Sequence, residues 1–555
     1  FREFSMVISG AVVISTFAAL TITPMLATKL LVRQEKKSWF YSKTEPFFVW
    51  LSDFYSRTLA SFLRRRWLAL PLVLLTMGLI GWLWSAIPAE MAPLEDRSQI
   101  SINTRGSEGA TYEYIRDYTE DINRLVDSLV PEASSVTARV SSGSGNVRIA
   151  LTDIATRKRS QMEIAEQISA AVRSKTKARA FVQQQSTFGG RRGRMPVQYV
   201  LQATSLERLQ EVLPEFMRKV YESPVFQMAD VDLKFSKPEV RIEVNRDKAN
   251  LLGVSTRNIA QTLQYGLSGQ RLGYFYMNGK QYEILAEINR QQRNKPADLR
   301  SIYVRSDKGE MIQMDNLISL AENVAPPQLY HYNRFLSATV SAGLAKGKTI
   351  GQGLDEMDRI ADETLGDDFR TALAGDSKEF RESSSSLMFA FILAVMLIYL
   401  ILAAQFESFK DPLVIMLTVP LAIAGALVFM WGADQTMNIF SQIGIIMLIG
   451  LVAKNGILIV EFANQKQEAG LDKMRAIEEA SLQRLRPILM TSASTILGLL
   501  PLTVATGEGA NGRIAMGIAV VGGMVVSTLL TLYIVPAIYS YVSTNRIKKS
   551  KHNDA

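Results

Sequence analysis

Seven long apolar stretches restrict this 555-residue chain to the folds of membrane proteins. Each has about 20 residues, the length of an α-helix that crosses a bilayer core. The polar residues 88–383 separate the second stretch from the third and alternate between strand and helix patterns. We therefore predict a membrane α-helical bundle with one large water-exposed α+β insert. The predicted spans are Phe4–Thr28, Trp67–Ile87, Leu387–Ala404, Pro412–Gly432, Ile439–Ala463, Pro487–Thr506 and Ile514–Val542.

Basic residues between the stretches predict the orientation. Nine Lys and Arg residues lie at 29–66, five at 466–486 and four after Ser543, whereas the opposite loops near Asp434 and at 507–513 contain one in total. Loops rich in Lys and Arg stay in the cytoplasm, so the insert is predicted on the other side. The net charge of +9 follows from this topology, and no nucleic-acid partner is expected.

Several kinds of chemistry are missing from the sequence. The chain has no cysteine, and its two histidines, His331 and His552, are far apart. This composition predicts neither a thiolate nor a histidine-rich metal site. We find no grouping of nucleophile, base and oxyanion donors, so we expect no enzymatic activity and no catalytic residues. The run GGRRGR at 189–194 is interpreted as a solvated loop.

A sequence repeat predicts that the chain is part of something longer. The segment VISTFAALTITPM (13–25) and the segment VVSTLLTLYIVPA (525–537) agree at six of thirteen positions without a gap, including a Ser-Thr pair and a late proline. The first helix would then correspond to the last helix of a duplicated unit, as in many transporters. We expect the chain to be a C-terminal half whose N-terminal half lies upstream.

The insert contains two copies of one strand and helix order. Residues 98–185 are predicted as βαββαβ, the order of a ferredoxin-like unit. A second copy is interrupted by a β-rich module from Pro238 to about Asn323, whose clearest element is a hairpin with Asn278-Gly279 at its turn. The predicted elements of the second copy are Val197–Ala203, Leu206–Tyr221, Val231–Phe235, Phe335–Ala342, Thr349–Leu365 and Phe369–Leu373.

Lys454 lies near the middle of the fifth apolar stretch. A lysine at the centre of a spanning helix costs about 2.5–3.5 kcal/mol on insertion scales, so it indicates a functional ion pair. The acidic residues Glu407, Asp434 and Glu461 all lie at the ends of stretches. We therefore expect the anionic partner to come from the missing half. Gly444 and Gly450 are expected to share the exposed helix face with Lys454.

Four motifs resemble those of the resistance-nodulation-division (RND) efflux transporters, specifically the hydrophobe/amphiphile subfamily that includes AcrB and MexB. The motifs are AEMAPLEDR (89–97), QFESFKDPLVIMLTVPLAI (405–423), GLVAKNGILIVEFA (450–463) and RLRPILMTS (484–492). The resemblance implies a homotrimeric substrate:proton antiporter in a bacterial inner membrane, with a periplasmic adaptor and an outer-membrane channel as partners. The proton gradient supplies the energy, and no cofactor is implied.

The resemblance also implies residue roles. Lys454, Asn455, Arg484 and Thr491 match the family's proton relay, whose carboxylates belong to the missing half. Seven of twelve expected helices are present. The implied domains are helices at 1–31 and 67–87, a cytoplasmic amphipathic segment at 32–66, a first porter subdomain at 88–185, a second at 186–237 and 324–383, a funnel at 238–323, five helices at 384–545 and a basic cytoplasmic tail at 546–555.

The expected substrate pocket departs from that of drug-exporting members, which place phenylalanines in the first subdomain. Here the segment SSVTARVSSGSGNVRIALTD (134–153) has no aromatic residue. A more polar, amphiphilic or lipid-like substrate is therefore possible. The candidate pocket residues are Thr137, Arg139, Ser141 and Ile149.

Two alternatives stay open within the superfamily. One is a Cu or Ag exporter that would carry its cation on methionines, although methionines at helical spacing more often pack in a core. The other is a relative that translocates lipid or protein. The candidate methionines are Met162, Met195, Met217 and Met228.

Overall fold

The computed structural model describes residues 2–30, 39–175, 177–184, 195–326 and 328–544. The predicted loop at 189–194 and the predicted tail at 546–555 lie outside these ranges. Three helices come first, and the second has a buried face that includes Tyr55 and Leu59. These helices are α1 (Arg2–Leu30), α2 (Trp39–Arg64) and α3 (Ala69–Ala86).

The first subdomain of the insert is one antiparallel sheet with two helices on a single face. Its elements follow the predicted strand and helix order, and its sheet order is β2-β3-β1-β4. Thr111 and Ser160 begin the two helices by accepting hydrogen bonds from backbone N–H groups of the first turn. The elements are β1 (Gln99–Arg105), α4 (Tyr112–Leu129), β2 (Ala133–Ser141), β3 (Ser144–Leu151), α5 (Gln161–Arg173) and β4 (Arg179–Gln184).

The second subdomain begins and is then interrupted by the β-rich module. Strands β7 and β12 are antiparallel and close the base of the β-rich module. Their register runs from Lys237 opposite Ala325 to Val244 opposite Ile318. The predicted hairpin is confirmed, because Asn278 and Gly279 have φ values of 53° and 74° at its turn. The elements are β5 (Val197–Ala203), α6 (Leu206–Glu222), β6 (Phe226–Val231), β7 (Lys237–Val244), α7 (Arg246–Leu251), α8 (Thr256–Ser268), β8 (Gln270–Met277), β9 (Lys280–Ala286), β10 (Tyr303–Arg305), β11 (Met311–Gln313) and β12 (Ile318–Ala325).

The chain then returns to complete the second sheet, which has the order β13-β14-β5-β15, with β6 also paired to β14. The strand predicted at Val231–Phe235 is wrong, because β6 lies earlier and buries Phe226 in the core. Strand β6 ends where the Asp232 carboxylate, rather than the backbone, accepts the Thr339 N–H at 2.7 Å. The remaining elements are β13 (Tyr330–Tyr332), β14 (Phe335–Leu344), α9 (Ile350–Thr364) and β15 (Arg370–Leu373).

Six helices follow, and within the described residues seven helical segments are long and apolar enough to span a membrane. The predicted combination of membrane helices with an α+β insert is thereby confirmed. Several boundaries differ. The fourth span is broken at Leu417. The helices of the third and sixth spans begin at Gly375 and Lys473, before the predicted Leu387 and Pro487, because their polar first turns lie outside the apolar stretches. The helices are α10 (Gly375–Phe406), α11 (Lys410–Met416), α12 (Thr418–Gly432), α13 (Ile439–Glu468), α14 (Lys473–Thr503) and α15 (Ala510–Val542).

Helix α15 is the centre of the bundle and packs against α12, α13 and α14. Glycines allow its closest approach to α12. A Cβ atom at Gly522 would lie 2.3 Å from the Cβ of Phe429, and one at Gly425 would lie 2.5 Å from the Cβ of Val526. These two backbones therefore touch where no side chain fits between them.

Gly522→Ala is expected to destabilise the bundle by about 1–3 kcal/mol, because the new methyl group forces two helices apart. The matched control is Gly498→Ala in α14, where no atom lies within 4 Å of the added Cβ. The control should be neutral or stabilising, since alanine favours a helix over glycine. Thermal unfolding of the two purified variants measures the difference, and equal midpoints would contradict the packing described.

Candidate functional site

Lys454 lies on the one exposed stripe of α13. Gly450, Lys454, Leu458, Glu461 and Gln465 follow at helical spacing and are exposed or half-buried, whereas the flanking positions are mostly buried. Across the ranges that the structure describes, Lys454 forms no ion pair and no hydrogen bond. A cation in the middle of a spanning helix thus projects from a face that is not covered by the described chain.

Gly450 shares that stripe, as predicted, but the prediction for Gly444 is wrong. Gly444 is buried, and a Cβ atom there would lie 3.1 Å from the Met516 carbonyl oxygen of α15. The two glycines are six positions apart along α13, a helix rotation of about 600°, so they lie on different faces. Gly444 therefore allows α13 and α15 to pack closely.

Asn455 belongs to a buried polar cluster that links three helices. Its Nδ2 donates to Ser492 Oγ at 3.3 Å and to Thr528 Oγ1 at 3.4 Å. The Thr528 hydroxyl in turn donates to Ser492 Oγ at 3.1 Å. Our sequence reasoning did not include Ser492 and Thr528 among the site residues. The sequence did contain an indication that Thr528 matters, because Thr528 belongs to the Ser-Thr pair that the two repeated segments share. The cluster ties the turn of Lys454 to α14 and α15.

Arg484 and Thr491 occupy two levels of α14. The Thr491 hydroxyl donates to the Ile488 carbonyl at 3.1 Å, and Thr491 precedes Ser492 of the buried cluster. Arg484 lies about 10 Å nearer the N-terminus of α14 at helical rise, and its guanidinium is 4.3 Å from the centre of the Phe462 ring. Lys454 and Thr491 therefore lie at a similar level of the bundle, whereas Arg484 lies nearer the end of the bundle opposite to the insert.

Asp411 is a buried carboxylate that the sequence reasoning did not single out. It is 2% exposed and accepts hydrogen bonds from Ser543 Oγ at 2.8 Å and from Asn464 Nδ2 at 3.3 Å. The Tyr539 hydroxyl donates to Asn464 Oδ1 at 2.5 Å. A buried carboxylate requires such donors. The group fixes the ends of α11, α13 and α15 at the side of the bundle opposite to the insert.

At the other end of the bundle, residues 88–97 form a connecting strap between the membrane helices and the insert. The first N–H groups of a helix have no partner within the helix. The strap supplies partners to two membrane helices: the Met91 carbonyl accepts Ile439 N of α13 at 3.3 Å, and Glu95 Oε1 accepts Gly512 N of α15 at 3.2 Å. Burial raises the pKa of Glu90, whose carboxylate accepts the Thr436 hydroxyl.

The same strap holds one helix of each subdomain. Asp96 Oδ2 accepts Gln161 N of α5 at 2.8 Å, and the Ala89 carbonyl accepts Gly351 N of α9 at 3.2 Å. A Cβ atom at Gly351 would lie 3.0 Å from that carbonyl oxygen. Ten residues thus contact the N-termini of four helices, two in the bundle and two in the insert.

The predicted pocket residues divide between two faces of the first sheet. Thr137, Arg139 and Ser141 are exposed on the face that lacks helices. Ile149 is fully buried in the core beneath the opposite face. The grouping of Ile149 with the other three is therefore corrected, since neighbouring positions on a strand point to opposite faces.

The candidate methionines lie in different segments of the insert. Met217 is buried in the hydrophobic core of the second subdomain, Met195 is buried before β5, and Met162 and Met228 are half-buried on α5 and β6. Among the described residues, no group of three His, Cys, Asp or Glu side chains could hold a metal ion.

These features define a multi-pass membrane protein with a large α+β domain between its second and third spans. The chain belongs to the AcrB/AcrD/AcrF family of RND-type transporters, whose family model matches residues 1–543. It is also similar to an uncharacterized transporter of Haemophilus influenzae, with 31% identity over 558 residues that cover 98% of this chain. The chain spans about half (54%) of that curated relative's length. Family and relative are transporters rather than enzymes, as the sequence suggested.

Proposed function

We propose that this chain forms the C-terminal half of a proton-driven exporter of the hydrophobe/amphiphile RND subfamily. The exporter works as a homotrimer in a bacterial inner membrane, with its ferredoxin-like porter subdomains in the periplasm. A periplasmic adaptor and an outer-membrane channel complete the export path. The observation that carries this proposal is the uncompensated Lys454 on the exposed stripe of α13.

In the proposed mechanism Lys454 pairs with carboxylates on a helix that covers this stripe. When those carboxylates take up protons, they lose their charge and release the ammonium group. The freed Lys454 turns toward new hydrogen-bond partners, among which the Thr491 hydroxyl lies at similar depth. Arg484 adds positive charge nearer the cytoplasm and lowers the affinity of the relay for further protons. Two arrangements of α13 thus differ in protonation, as proton coupling requires.

The Asn455 cluster and the strap carry the movement of α13 to the insert. Asn455 ties α13 to α14 and α15, so the three helices shift together. The strap bonds Ile439 of α13 and Gly512 of α15, and it also bonds Gln161 and Gly351 of the two subdomains. Displacement of the helices therefore changes the angle between the subdomains, which opens and closes the cleft that holds substrate.

Reconstitution tests this proposal. The product of the complete gene is placed in proteoliposomes with N-phenyl-1-naphthylamine as a fluorescent amphiphilic probe, and a pH gradient of either direction is imposed. We expect vectorial probe movement only with the gradient that drives protons toward the cytoplasmic face, and its loss on addition of an uncoupler. Probe movement that is insensitive to the gradient and to the uncoupler would contradict proton coupling.

A further inference from the structure

One of the rows of residues on the helix-free face of the first sheet crosses all four strands. Directly opposite residues of an antiparallel pair share a face. The register places Arg139 of β2 opposite Asn146, Asn146 opposite Asn103, and Asn103 opposite Phe181. Asn146 Nδ2 donates to Asn103 Oδ1 at 2.7 Å. The row therefore has a cation at one end and an aromatic ring at the other, about 14 Å apart at the usual strand spacing.

This face carries positive charge only. Its four arginines are Arg105, Arg139, Arg148 and Arg179, and the face positions of its strands include neither Asp nor Glu. Surfaces without a binding role usually mix both signs of charge. A one-sign face on a sheet without covering helices is therefore a candidate for binding an anion.

Two of the four arginines already have a counter-charge. Arg105 and Arg179 lie 2.6 Å and 3.6 Å from the carboxylate of Asp230, which belongs to β6 of the second subdomain. Their pairing places the helix-free face beside the junction of the two subdomains. These two arginines are thus part of the contact between the subdomains.

The other two arginines have no counter-charge. Arg139 is exposed and Arg148 is half-buried, and neither forms an ion pair with any residue that the structure describes. Arg148 lies two positions beyond Asn146, so it is the diagonal neighbour of Arg139 across β2 and β3, about 7–8 Å away. Guanidinium groups present planar pairs of donors that match carboxylate, sulfate and phosphate oxygens. An anion between them would also relieve their mutual repulsion.

We infer that Arg139 and Arg148 bind the anionic headgroup of an exported amphiphile, whose apolar part lies along the row toward Phe181. This inference rests on the proposed transport function and names its substrate class: amphiphiles with a carboxylate, sulfate or phosphate headgroup. The absence of aromatic residues from 134–153 fits a site in which charge replaces stacking on β2 and β3.

The test compares two probes that differ only in charge: dansyl-aminoundecanoic acid and its methyl ester. Binding to the complete transporter in lipid nanodiscs is measured by dansyl fluorescence. We expect the acid to bind about tenfold or more tightly than the ester, as charge-assisted hydrogen bonds predict, and salt to weaken only the acid. Arg139→Gln with Arg148→Gln should remove this preference and leave the ester unchanged.

Arg124→Gln is the matched control, because Arg124 is an exposed arginine of α4, on the helix-covered side of the same sheet. It should leave both affinities unchanged. Equal binding of acid and ester to the wild type would overturn the inference. A double variant that binds the acid like the wild type but assembles poorly would also overturn the inference. That result would show that the two arginines contact another part of the transporter, which covers the face. Lys454→Ala should retain acid binding, so a failure of proton coupling is distinguished from a failure at this face.

Discussion

Lys454→Ala is expected to reduce transport to the background of cells without the protein, while expression and oligomeric assembly persist. Lys454 is exposed in the described chain, so its truncation leaves no cavity in the core. In the proposed mechanism, what is lost is the charge that a proton-dependent carboxylate attracts or releases. Export of an amphiphilic probe from intact cells measures the activity, and size-exclusion chromatography of the purified protein checks assembly.

Lys466→Ala is the matched control for this variant. Lys466 belongs to the same helix but lies at its C-terminal end, paired with Glu479 at 3.1 Å. A partly exposed pair of this kind contributes little, so the control should transport nearly normally. Normal export by Lys454→Ala would remove Lys454 from the mechanism. Loss of assembly in Lys454→Ala alone would show that the lysine is structural.

A polypeptide of these 555 residues alone is expected to transport nothing. Its helix α13 exposes Lys454 and Gly450, and no carboxylate of the described chain pairs with the lysine. A charged stripe that faces lipid also favours poor insertion and degradation. Co-expression of the remaining part of the transporter should restore both stability and activity.

This second prediction is measured in cells that lack related pumps. Immunoblotting of membranes gives the amount of chain, and probe efflux gives its activity. A version with Lys454→Ala serves as the matched control, and it should insert better because it removes the cost of the unpaired charge. Efflux that depends on the proton gradient, from cells that make only these 555 residues, would contradict the account.

Much of the fold could be predicted because it depends on local sequence. Long apolar stretches define the spans, and Asn278-Gly279 defines the hairpin turn through its two positive φ values. The errors arise where tertiary contacts decide. Val231–Phe235 has a good strand pattern, but the Asp232 carboxylate takes over the backbone N–H of β14 and ends β6 early. Helix α14 begins at Lys473 because neighbouring helices stabilise polar turns that hydropathy cannot detect.

Only the part of the candidate site that depends on local sequence could be predicted. Lys454 could be predicted as a site residue because a charge within an apolar stretch has a known free-energy cost of membrane insertion. Ser492 and Asp411 are ordinary residues in sequence, and only the packing of helices brings them to Asn455 and Asn464. The strap could not be predicted either, because the hydrogen bonds from Glu95 to α15 and from Asp96 to α5 join segments that are far apart along the chain.

The most direct test of the central claim is substrate-induced proton flux. Proteoliposomes with the complete transporter and an internal pH-sensitive dye are given an amphiphilic substrate, and the initial rate of pH change is recorded for the wild type, Lys454→Ala and Lys466→Ala. We predict that substrate accelerates proton movement in the wild type and in Lys466→Ala and leaves it unchanged in Lys454→Ala. Substrate-induced proton flux in Lys454→Ala that equals the wild-type flux would contradict the account.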